Sequence, residues 1–174
     1  TRAIIKTLDP RNYQIMWVPY TGANRSGILR MLAEKTGIEL TRKGLPPLAK
    51  LQKHIAAEQK DRGAPFPIIV VDDAQHLENE SLMDLCAILT NSEDNRVIMA
   101  VILVGDENLD RTLRFSSQKA VSSRLACVFK MKSLVHEDAK SLLNNRMEKA
   151  KAPQNLFDKE ALELVTANCG GNRR

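Results

Sequence analysis

Pro67-Ile68-Ile69-Val70-Val71-Asp72-Asp73-Ala74-Gln75-His76-Leu77 decides the fold. Ile68 to Val71 is an unbroken β-branched run, too short for a helix, and such a run reads as a strand buried on both faces of a parallel sheet. Asp72 and Asp73 follow at its carboxyl end. In open α/β sheets ligands bind at that end, and two acids leaving a buried strand are costly unless a cation compensates them. A magnesium ion carried by a nucleotide is the obvious candidate. The alternative is that both acids cap the helix that follows, although one would suffice for a cap.

Upstream, Tyr13 to Pro19 (YQIMWVP) alternates and is rich in β-formers, which predicts a strand left through the turn Tyr20-Thr21-Gly22. Ile28, Leu29, Leu32 and Ala33 then share one face of a helix over Arg25 to Lys35, with Gly37 just past its end. Residues 38 to 47 have no clear period, and Leu48, Leu51, Ile55 and Ala56 mark an amphipathic helix ending near Arg62-Gly63. Downstream of the acids, Glu78 to Asn91 carries Leu82, Leu85, Cys86 and Leu89 at helical spacing. Arg96 to Val104 (RVIMAVILV) is a second apolar run and predicts a second central strand with Gly105-Asp106-Glu107 at its carboxyl end. A short helix over Asn108 to Phe115, the polar stretch Ser116 to Ser123, and a third strand over Ala126 to Met131 complete the alternation. From His136 onward the pattern is helical only: Glu137 to Lys151, then Asp158 to Asn168 with Asp158 or its neighbour as the cap. The order predicts an α/β parallel-sheet core over 1–133 and a small C-terminal α-helical lid beginning at 134.

Composition narrows the function classes. Aromatic residues are only 4% of the 174, so stacking platforms for single-stranded nucleic acid are not the main device. The excess of 26 basic over 21 acidic residues, net +5, permits contact with nucleic acid without establishing it. Cys86, Cys127 and Cys169 are far apart and in no ligand spacing, so they read as buried thiols of a reducing compartment. The longest apolar stretch, Val97 to Val104, falls far short of a membrane span, and no apolar leader opens the chain, which makes the cytoplasm the expected location.

Four pieces in register then carry a resemblance. IIVVDDAQHL is similar to an apolar run followed by Asp-Glu-Ala-Gln; LVGDENL to Leu-Val-Gly-Gln-x-x-Leu; SSRL precedes the expected last strand; and GGNRR stands at the end. Together they resemble the AAA+ ATPases, parallel-sheet P-loop NTPases with a helical lid. The branch is that of the ExeA-like (general secretion pathway A) ATPases and the ATP-binding subunits of transposition systems. The resemblance implies ATP and Mg2+ as cofactors, with Asp72 holding the magnesium shell and Asp73 orienting the attacking water. Gln75 would stand near the γ-phosphate or, equally, face solvent at a helix start. Asp106 occupies the sensor position, where Gln, Asn or Thr is usual, and the family usually has Glu in place of Asp73. Arg124 matches the arginine finger offered to a neighbouring subunit, and Arg173 or Arg174 the second sensor of the lid. A homo-oligomer, ring or filament, is implied, with DNA and a transposase or another protein as partners.

No G-x-x-x-x-G-K-[ST] occurs, and Gly22-Ala23-Asn24-Arg25-Ser26-Gly27 lacks the lysine. Thr1 to Leu8 reads as a helix without its start, so the resemblance leads us to expect a chain that begins just after the phosphate-binding lysine. Arg42, Lys43, Lys50, Lys53 and Lys60 read first as a solvated face and second as a DNA-backbone contact. His54, His76 and His136 are isolated and are expected to carry no chemistry.

Overall fold

The computed structural model describes residues 5–19, 25–40, 44–60, 63–91, 93–153 and 156–169. Its first unit, residues 1–126, is built on three parallel strands. Strand β1 (Tyr13–Pro19) lies beside β2 (Phe66–Asp72), which lies beside β3 (Ala100–Leu103). The register pairs Val18 with Val71 and Pro19 with Asp72 on one side, and Val71 with Leu103 on the other. The run that opened the sequence is therefore the middle strand. It is flanked on both sides, as its lack of any polar position required.

Alternation along the strands sorts the two faces. Met16, Val18, Ile69, Val71, Val101 and Leu103 join one apolar cluster with α1 (Arg25–Lys35), α2 (Pro47–Glu58) and α3 (Asn79–Ala87). Ile68 and Val70 point to the opposite face, and Asp72 continues their row. Ile69 is fully buried at the centre of this layer. Ile69→Ala should lower unfolding stability by about 2–5 kcal/mol, read as a fall in the urea midpoint.

The helices end where local chemistry dictates. Past α1, Gly37 takes φ 69°, its N–H donates to the Glu34 carbonyl and that of Ile38 to the Ala33 carbonyl at 2.8 Å. This double closure satisfies the last carbonyls and turns Ile38 back against the core. From α2, the Gln52 amide donates to the carbonyls of Ala87 (2.7 Å) and Thr90 (3.1 Å), so one helix caps the end of another. Before β1, Asp9 accepts hydrogen bonds from the Arg11 backbone and guanidinium, which hold its carboxyl below the usual carboxylate range.

Several expected boundaries move, for non-local reasons. Helix α2 stops at Glu58 rather than near Arg62-Gly63, and α3 stops at Ala87 rather than Asn91. After α3 the chain doubles back: Asn91 N–H donates to the Arg96 carbonyl and Ile98 N–H to the Leu89 carbonyl, around an antiparallel bridge between Thr90 and Val97. Backbone spent there is lost to the sheet, so β3 holds four residues instead of the nine read from RVIMAVILV. Ile98 and Met99 are nonetheless buried. The strand expected over Ala126 to Met131 does not form, and Val128, Phe129 and Met131 are exposed. A strand exists through its ladder, and these residues have none among the described residues. The helix expected over Thr1–Leu8 falls partly outside the described residues, and from Lys6 the chain is in turns.

The second unit, residues 127–174, contains α6 (His136–Lys149) and α7 (Lys159–Asn168), numbered after α4 (Glu107–Leu113) and α5 (Lys119–Ser122) of the first. Asp158 caps α7 through a 2.7 Å hydrogen bond from the Ala161 N–H. Lys140 and Glu163 pair across the two helices at 3.6 Å. Of the three cysteines only Cys86 is buried; Cys127 is exposed and Cys169 half-buried, and all are free thiols. No helix among the described residues is long and apolar enough to cross a membrane.

Candidate active site

At the carboxyl end of β2 the backbone does something that its sequence does not announce. Asp73 adopts the left-handed conformation, φ 54°, ψ 38°. That region costs an ordinary L-residue about 1–2 kcal/mol and is tolerated best by Gly, Asn and Asp. The reversal sends Ala74 into the core, 1% exposed, as the first residue of a short 3-10 turn (Ala74–His76). The Ala74 N–H then donates to the Val104 carbonyl at 2.8 Å, and the Val104 N–H to the Val71 carbonyl at 2.9 Å. The exits of β2 and β3 are thus stitched together one step beyond the strands.

Asp72 and Asp73 are both half-buried at this exit. One Asp72 oxygen accepts the Asp73 N–H at 3.2 Å. Asp73 makes no side-chain cap to the 3-10 turn, so capping does not explain it. Among the described residues no lysine or arginine pairs with either carboxylate. Half-buried, adjacent and unpaired carboxylates fit a hydrated divalent cation that arrives with phosphates. Magnesium needs only one or two protein carboxylates beside its waters and phosphate oxygens, and no larger cluster of acids, histidines or cysteines occurs among the described residues.

The Gln75 side chain bridges the two exits. Its amide nitrogen donates to Asp73 Oδ1 at 3.4 Å, and its amide oxygen accepts the Asp106 N–H at 3.3 Å. Asp106 is exposed, and its carboxylate caps α4, accepting the Asn108 N–H at 2.8 Å and the Asn108 amide at 3.1 Å. Its acid group is therefore occupied by the turn that it closes. Gly105 is a position to which the sequence motifs assigned no role. A Cβ there would lie 2.8 Å from Gln75 Oε1 and 2.9 Å from Leu109 Cδ2, so any other residue would displace the ends of these two side chains. The sequence signal was a glycine directly after the apolar run 96–104, where glycine often marks close backbone approach.

Arg124 stands elsewhere in the same unit. It follows α5, whose Val121 is anchored in the core, and its N–H donates to the Val121 carbonyl. Its side chain is exposed. Arg173 and Arg174, with Arg42 and Lys43, lie outside the described residues. Lys53 and Lys60 are exposed on and just beyond α2, and His54 there faces Glu58 at 3.3 Å.

A parallel sheet with paired acids leaving its middle strand, a polar turn at the neighbouring exit and helices between strands defines a P-loop NTPase core of the AAA+ type. The family model described as AAA domain matches residues 1–113, and the chain belongs to that family. General secretion pathway protein A of Aeromonas hydrophila is 28% identical over 105 residues, covering 60% of this chain and 19% of that protein. Cdc6p from Pyrobaculum aerophilum superposes with a TM-score of 0.67 at 18% identity, over 89% of this chain and 40% of that one. The Aeropyrum pernix ORC2 protein, solved in ADPNP-ADP complexes, gives 0.63 at 17% identity, over 99% and 45%. The two structures support the fold alone, and the chain spans less than half of each of these relatives. The resemblance to AAA+ ATPases and to their general secretion pathway A branch is borne out.

Proposed function

We propose that this chain is part of an ATP-binding and ATP-hydrolysing switch protein that works as a homo-oligomer in the cytoplasm. The observation that carries the proposal is the pair of half-buried acids, Asp72 and Asp73, at the exit of the middle strand, with no lysine or arginine paired to them among the described residues. Asp72 is assigned to the water shell of Mg2+, whose chemistry is to neutralise charge on the phosphate oxygens. Asp73 is assigned to orienting the attacking water. Asp106 stands at the sensor position and acts through the turn that it caps beside Asp73. Arg124 is assigned to a neighbouring subunit's nucleotide, and Arg173 or Arg174 to the second sensor position of a lid over 134–174 that follows the core of 1–133 in sequence.

For the output we propose assembly on target DNA beside a transposase, with the exposed Lys53 and Lys60 among the backbone contacts. The similarity to general secretion pathway protein A favours a second output, nucleotide-driven assembly of a secretion apparatus. Duplex DNA affinity that falls steeply with added salt would support the first, and salt-independent or absent DNA binding the second.

The full-length protein should bind ATP and release phosphate only with Mg2+, with turnover stopped by chelation and restored by added Mg2+. A protein that binds no nucleotide in a titration with fluorescent ATP would reduce this fold to a scaffold.

A further inference from the structure

Resting on the ATPase reading, we infer that Gln75 is a positioning residue: its carboxamide locks the Asp73 carboxylate to the turn after β3, so that the two strand exits present one rigid edge. The amide has a donor end and an acceptor end, and both are engaged across the gap, the nitrogen with Asp73 Oδ1 and the oxygen with the Asp106 N–H. These two partners fix which way the amide points, because neither could accept the opposite flip: the N–H needs an acceptor and the carboxylate a donor. Gly105 leaves room for the amide in this position, since an added Cβ would come within 2.8 Å of its oxygen and displace it. The side chain is half-buried, unlike a solvent-facing amide at a helix start. Asp73 sits on a left-handed backbone with no cap of its own to hold it, and among the described residues Gln75 makes the side-chain hydrogen bond that constrains its carboxylate.

Steady-state hydrolysis by the full-length protein tests the inference. Losing one such hydrogen bond corresponds to roughly a tenfold change, so Gln75→Ala should lower kcat about tenfold while KM for ATP stays within about twofold. Gln75→Glu keeps the acceptor for Asp106 but sets a carboxylate against Asp73, and should lower kcat further than alanine does. Gly105→Ala should push the amide aside and lower kcat about fivefold. In the double variant Gln75→Ala/Gly105→Ala the methyl meets no amide and only its contact with Leu109 remains, so the combined loss of kcat should be smaller than the product of the two single losses. A merely structural contribution predicts multiplicative losses and equal behaviour of alanine and glutamate at position 75. If the wild type turns over ATP and Gln75→Ala does so at the same rate, or if the losses multiply, the inference fails and the ATPase reading stands. A wild type that hydrolyses nothing overturns both.

Discussion

Asp73→Asn should leave ATP bound and unhydrolysed: affinity within about twofold of wild type, and phosphate release lowered by about 10²–10⁴, the range for removing a positioned acid–base group. Asparagine suits the test because Asp73 stands at φ 54°, and asparagine shares with aspartate an unusual tolerance of that region. The carbonyl oxygen of the substituted side chain can still accept the Gln75 amide, so the variant loses the charge and keeps the backbone and the bridge. Asp73→Ala would be less informative, since it adds backbone strain to the loss of the acid. The same geometry suits aspartate at this position: a left-handed residue at a strand exit favours the shorter acid, whose carboxylate sits close to its own backbone. Nucleotide titration and phosphate release on the same preparation check the outcome. Unchanged turnover would remove Asp73 from the water-orienting role.

What the residues disclosed by themselves divides along the distance over which each feature is decided. Strand β1 and helix α1 occupy the residues that alternation and helical spacing marked, Tyr13–Pro19 and Arg25–Lys35, because adjacent residues decide them and packing agrees. The middle strand was legible because burial on both faces leaves a continuous apolar run. Residues 96–99 show the limit of that logic. They are as apolar as a strand, and Ile98 and Met99 are buried like one, yet their backbone pairs with Leu89–Asn91, a partner chosen by the fold and not by the run itself. Val128 and Phe129 show the converse, a β-rich stretch with no ladder among the described residues.

In the site, the acids were visible as a costly pair and Asp106 as a residue at a strand exit. Its capping of α4 was readable in principle, since Asp before Glu-Asn is a local N-terminal signal. The bridge through Gln75 was not, because Gln75 and Asp106 are 31 residues apart and meet only once β2 and β3 lie side by side. The left-handed turn at Asp73 is likewise imposed from outside, by the Ala74 N–H reaching the Val104 carbonyl.

Arg124→Ala should keep nucleotide affinity and lose the part of turnover that depends on assembly. An arginine delivered to a neighbour's phosphates is worth about 10³–10⁵ in kcat, so at concentrations where the wild type assembles the variant should run at the rate of dilute, unassembled protein. The position suits delivery in trans: the backbone is anchored through Val121 in the core, and the guanidinium is exposed with no carboxylate partner among the described residues. Arg124→Lys should recover little, because a point-charge ammonium cannot reproduce the planar fork of the guanidinium. The decisive form of the experiment mixes two inactive proteins. An Arg124→Ala subunit retains Asp73, and an Asp73→Asn subunit retains Arg124, so a site built from the first with the second as neighbour is complete. In a head-to-tail assembly of equal parts, half the sites carry an intact Asp73 and half of those have a neighbour with an intact Arg124, so about a quarter of wild-type turnover should return on mixing. Recovery must rise with concentration and vanish on dilution. Mixed assemblies that form and stay inactive, or an Arg124→Ala variant that runs at the full rate, would return Arg124 to an ordinary surface arginine and leave the two acids to account for hydrolysis without a neighbour.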